Sequence, residues 1–148
     1  MDTQTLAPQN FAERVIWYSI TRTYLFYLFG ALYILAPVIA WVLLFHLGLK
    51  LYQQNEFTPQ HERIIIPAGV WVWVVAMLVM EVVLLVGHTD FELGLAKTIK
   101  STIGWAKGWA LIAIFPLVGC LQVRAELIYK ATAIVCLHTL ILMPFLVA

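Results

Sequence analysis

Four stretches of this chain, 23–49, 64–87, 108–123 and 131–148, hold 85 residues and a single charged side chain, Glu81. The other 16 charged residues are crowded into the short segments between them. A soluble domain carries about a quarter of its residues as charges and needs them to cover its surface. Here charged residues make up 11% of the chain and hydrophobic ones 63%. The expectation is an all-α integral membrane protein with about four transmembrane helices plus short interfacial helices. A helix needs about 20 residues to cross a hydrocarbon core of about 30 Å. The third stretch, with 16 uncharged residues, reaches that length only by starting near Ile103 and letting Lys107 snorkel to the interface. The expected spans are therefore about 23–49, 64–87, 103–123 and 131–148, in one membrane domain.

Other classes are excluded on the same grounds. A net charge of +1 gives no basic field for nucleic acid. Cys120 and Cys136 make neither a disulfide framework nor a metal spacing, and both are expected to act as small buried hydrophobes. The leading 22 residues have mixed polarity, with Asp2 and Glu13, and do not form a cleavable signal. No cofactor is expected. His46 and His138 lie at unmatched depths for a haem, and there is no Cys-x-x-Cys-His. His61, in the polar 50–63 loop, reads as solvated, and 124–130 (RAELIYK) as a tight turn.

Aromatic residues gather near the window edges, among them Trp17, Tyr18, Tyr24, Trp105 and Tyr129, as in an interfacial belt. Trp41, Trp71 and Trp73 suit helix contacts better. Two segments look amphipathic. In 11–22, Phe11, Val15 and Tyr18 share a face, with the charges elsewhere. In 93–107, Leu95, Ile99, Thr102 and Ala106 oppose Lys97, Lys100 and Lys107. That segment is either a helix lying on the membrane surface or the polar lead-in of the third span. With the N-terminus inside, five Lys/Arg fall inside and four outside, too slight a bias to orient the chain.

Two sets of side chains stand out chemically. Glu81 is costly at membrane depth, and His88, seven residues on, lies on the same helical face. They form either a polar stripe toward a cavity, with Glu92 as an extension, or structural hydrogen bonds to a Trp or Ser on another span. Lys97, Lys100 and Lys107 attract phosphate, each worth about 1 kcal/mol at an anionic surface. They either hold a lipid diphosphate or anchor ordinary headgroups. No nucleophile–base pair, paired catalytic carboxylates, phosphate loop or metal spacing is present, so no catalytic residue can be assigned.

Several stretches resemble the N-terminal region of bacterial O-antigen ligase/polymerase-type membrane proteins: PQNFAERVIWYS (8–19), FGALYILAPVIAW (29–41), IPAGVWVWVVAMLVMEVVLLVGHTDFELG (66–94), IKSTIGWAKGWALIAIFPLVGC (99–120) and RAELIYKATAIVCLHTLIL (124–142). The resemblance covers nearly all of this chain and about the first third of such a protein. It implies a multi-pass protein of the bacterial inner membrane, working without a metal or nucleotide sugar on glycans carried by undecaprenyl diphosphate. The family's functional arginines and histidine lie in later spans and a large periplasmic loop, and no position here matches them. The expectation is the N-terminal transmembrane portion of such a transferase, a fragment inactive alone, with membrane lipids and the lipid-linked glycan as partners. The alternatives are a non-catalytic membrane subunit, using Glu81 with Gly30, Ala31, Gly104 and Gly108 for helix contacts, and a proton carrier using Glu81 and His88.

Overall fold

The computed structural model describes residues 7–55, 57–59 and 63–147, with side chains described as far as residue 143. His61 and the leading residues 1–6 lie outside the described residues. Among the described residues the protein is all-helical, with no strand: α1 (Phe11–Thr21), α2 (Thr23–Leu28), α3 (Leu32–Gln53), α4 (Ala68–Asp90), α5 (Leu95–Lys107), α6 (Leu111–Val118) and α7 (Ala125–Val147). Four helical stretches are long and apolar enough to cross a bilayer: Leu32–Gln53, Ala68–Asp90, Leu95–Val118 and Ala125–Met143. No residue of α4 is buried, and side chains such as Val83 (65% exposed) and Phe45 on α3 (70%) stand open. Surfaces of that kind are stable only against lipid. The chain is a multi-pass membrane protein.

The helix bounds depart from the charge-free windows for identifiable reasons. The first window is broken at Gly30, whose φ of +65° ends α2. The amide of Gly30 donates to Tyr27 O and that of Ala31 to Phe26 O, a Schellman cap in which a left-handed glycine turns the chain out of the helix. The third span is two helices, α5 and α6, with 108–110 between them. The segment 124–130 is not a turn: α7 already begins at Ala125. Ala, Glu, Leu and Lys are strong helix formers whatever their polarity, and Glu126 in the first turn complements the helix dipole.

The α4 C-terminus is capped in the same way as α2. The amide of Glu92 donates to Thr89 O and that of Leu93 to His88 O, which places Glu92 at the left-handed position with φ +48°. A side chain there costs about 1 kcal/mol relative to glycine. Glu92→Gly is therefore expected to raise unfolding stability in detergent by roughly 0.5–1 kcal/mol. No gain would show that the Glu92 side chain earns its own stabilisation at this position.

The chain forms two compact units, residues 1–39 with 122–148 and residues 40–121, the boundary falling inside α3. In the first unit α1 packs on α7. Ala12 and Glu13 are buried on α1, and Leu127 and Ala131, one turn apart, on α7. Tyr24 and Thr139 share a hydroxyl hydrogen bond, and Lys130 sits 6.0 Å above the Trp17 ring. In the second unit α4 packs on both α5 and α6. The four-residue connection 91–94 folds α5 back along α4. Trp41, on the part of α3 in this unit, donates its indole N–H to Ala106 O at 3.0 Å. That carbonyl belongs to the last turn of α5, where intrahelical partners run out.

Neither cysteine is a buried hydrophobe. Cys136 is exposed on α7, and Cys120 is half-buried, its thiol 3.6 Å from Pro116 O. In a membrane helix an apolar neighbourhood in sequence means contact with lipid as readily as burial in protein.

Candidate functional site

The chemistry singled out in the sequence converges on the α4–α5 hairpin of the second unit. His88, two residues before the end of α4, is half-buried and has both ring nitrogens engaged. Nδ1 lies 2.8 Å from Leu84 O and Nε2 lies 2.9 Å from Ser101 Oγ on α5. A carbonyl can only accept, so Nδ1 carries the proton. In the neutral ring Nε2 then accepts from the Ser101 hydroxyl. The histidine is a cross-link between α4 and α5, and neither nitrogen is left to form a hydrogen-bonded stripe with Glu81.

Glu81 lies two turns further down α4. Its Oε2 is enclosed and without a hydrogen-bond partner. Leaving such an atom unpaired costs about 1–3 kcal/mol. The indole Nε1 of Trp105 on α5 is enclosed and unpartnered too. Trp105 is therefore not a membrane-belt residue: its polar atom is turned away from any interface. Glu92, considered as an extension of the stripe, is exposed in the 91–94 connection.

The lysines lie on the outside of α5. Lys97, Lys100 and Lys107 are all exposed. Lys97 and Lys100 are about 4.5 Å apart along the axis, within reach of one phosphate, whereas Lys107 is about 10 Å further on. With Asp90 and Glu92, the first two form a charged rim at the tip of the hairpin. On the apolar face expected from Leu95, Ile99, Thr102 and Ala106, the first two are more than half exposed and the last two half-buried. Ser101 and Trp105, four residues apart and half-buried, mark the face toward α4. The small residues considered for close helix contacts are not approached by another helix of this chain at two positions. A Cβ at Gly30 or Gly104 would meet nothing within 4 Å.

The group that sequence reasoning passed over is Glu13. It was counted among the charges outside the apolar face of its helix, yet it is 1% exposed. Its carboxylate accepts from Arg124 Nε at 2.8 Å, Arg124 Nη2 at 2.8 Å, the Arg124 amide at 3.3 Å and the Gln9 amide at 2.8 Å. The hydrogen bonds from the Arg124 side chain, acting against burial, push its pKa from 4.5 down to about 2. Arg124 is held protonated more firmly in return, chiefly by the same bonds. The guanidinium also donates to Ala7 O at 2.7 Å. Asn10 caps α1 by accepting the Glu13 amide at 2.8 Å and donates to Gln122 O at 3.1 Å. The signal was available: N10-F-A-E13 is a variant of the capping box, with Asn at the cap and Glu at the third helical position. The residues that α1 buries are Ala12 and Glu13, while Phe11 and Tyr18 of its apolar face stay exposed.

No family model, curated protein or solved structure matches this chain.

Proposed function

We propose that this chain is the N-terminal transmembrane portion of an O-antigen ligase-like glycan transferase of the bacterial inner membrane, which meets glycans linked to undecaprenyl diphosphate. The observation that carries this reading is the exposed pair Lys97 and Lys100, one turn apart at the tip of a membrane hairpin. Two ammonium groups at that spacing suit a diphosphate at headgroup level, where each contributes about 1 kcal/mol. The rest of the reading draws on the sequence resemblance. In this reading the described residues bind and position, and among them no acid, base or arginine clamp is placed for a departing diphosphate.

Binding of undecaprenyl diphosphate to the protein reconstituted in nanodiscs, with phosphatidylglycerol as the comparison lipid, tests it. The double variant K97Q/K100Q is expected to weaken diphosphate-dependent binding about tenfold, or about 1.4 kcal/mol. This is less than two full contributions because Asp90 and Glu92 on the same rim offset part of the field. K107Q, further along α5, is expected to have a smaller effect. Equal losses toward phosphatidylglycerol would reduce the lysines to headgroup anchors and sink the reading. The reading would then pass to a non-catalytic membrane subunit, which the commitment of both His88 nitrogens to a structural cross-link favours.

A further inference from the structure

In an otherwise lipid-facing hairpin, two polar atoms of opposite character are sealed from solvent without partners: the acceptor Glu81 Oε2 on α4 and the donor Trp105 Nε1 on α5. Their positions are related through the His88–Ser101 hydrogen bond, which fixes the register of the two antiparallel helices. Glu81 precedes His88 by seven residues, almost two full turns, so the two share a face. Trp105 follows Ser101 by four, again on one face. Both atoms therefore belong to the seam between the helices, on the side of the cross-link away from the 91–94 connection. Measured along the axes, Glu81 lies about 10 Å and Trp105 about 6 Å from the His88–Ser101 level, an offset of about 4 Å.

We propose that Glu81 and Trp105 hold a hydroxyl group inside the α4–α5 seam, which donates to Glu81 Oε2 and accepts from Trp105 Nε1. The small offset along the axes keeps the two side chains at neighbouring levels of the seam, where one bridging oxygen can serve both atoms. Only a group that donates and accepts at once serves both atoms. A carbonyl or phosphate oxygen answers the indole alone, and an ammonium answers the carboxyl alone. A protein partner is not the occupant, because neither atom has surface for an outside chain to touch. The hydroxyl is that of an internal water. This inference is independent of the glycan-transferase reading.

The test is NMR on the full chain, with 15N-labelled tryptophan, in phosphatidylcholine nanodiscs, whose lipids carry no hydroxyl. W105F assigns the Trp105 indole resonance. The expected result is a cross-peak from that indole proton to water, retained in E81Q, whose amide oxygen still accepts, and lost in E81L. A cross-peak that arises only in phosphatidylglycerol discs assigns the contact to a lipid hydroxyl and overturns the internal water. Absence of any hydroxyl contact in both lipids overturns it, including the case in which E81L shifts the indole resonance through a direct Glu81–Trp105 bond. Circular dichroism checks that W105F, E81Q and E81L keep their helices.

Discussion

Glu13→Ala is expected to destabilise the protein by about 2–3 kcal/mol in a detergent unfolding titration at neutral pH. Breaking a buried ion pair costs about 3–5 kcal/mol when the surviving charge is trapped. Here Arg124 keeps about a third of its side chain exposed and regains water, which lowers the figure. The displacement of the Glu13 pKa from 4.5 to about 2 corresponds to about 3 kcal/mol, in agreement. The pH dependence follows from its direction. Between these two values the unfolded chain binds a proton at Glu13 while the folded chain does not, so lowering the pH favours unfolding. The stabilisation is complete above about pH 4.5 and is lost as the pH falls toward 2. The gap between wild type and Glu13→Ala should therefore close across that window, and Glu13→Gln should show a shallower acid slope than wild type. Stabilities within 0.5 kcal/mol of each other at pH 7 would show that the pair is a surface ornament.

How much of this was legible in the sequence depends on which physical effect dominates at each residue. Lipid dictates the existence of apolar helices so strongly that charge-free windows alone reveal them, and the all-helical membrane fold follows. Boundaries obey local rules instead. Gly30 ends a helix within an unbroken apolar run because a left-handed residue caps α2, and RAELIYK enters α7 because helix propensity does not follow polarity. Faces were the least legible. Periodicity marks the apolar faces, Leu95 and Ile99 on α5 and Phe11 and Tyr18 on α1, without saying whether each meets lipid or protein. Where apolar side chains are equally content in lipid, the polar ones choose their protein neighbours. Ser101 therefore faces His88, and Glu13 faces Arg124. His88 and Glu81 were found because polar atoms in apolar runs are conspicuous. Trp105 was misplaced because a tryptophan near a window edge satisfies both a membrane belt and a buried seam, and sequence carries no term to separate them.

The hairpin itself turns on Gly94, and Gly94→Val is expected to cost about 2–3 kcal/mol. With φ +81° and ψ 155°, Gly94 occupies a backbone region essentially closed to L-residues with a Cβ. It cannot relax freely, because its carbonyl accepts both the amide and the hydroxyl of Thr98 in the first turn of α5. A Cβ added there would meet nothing within 4 Å, so the cost is one of backbone conformation and not of crowding. That distinction is measurable. Gly94→Ala should carry most of the penalty of Gly94→Val, and a valine effect several times the alanine one would point to a contact instead. Relief of the strain redirects α5 at its N-cap, three residues before Lys97 and seven before Ser101. The two consequences expected with the lost stability are a weakened His88–Ser101 link, read as a shift of the His88 imidazole 15N resonances, and reduced binding of undecaprenyl diphosphate although no charge has been removed. An alanine variant as stable as wild type would mean that Gly94 adopts a different backbone conformation, and the placement of the lysine pair by this connection would fall with it.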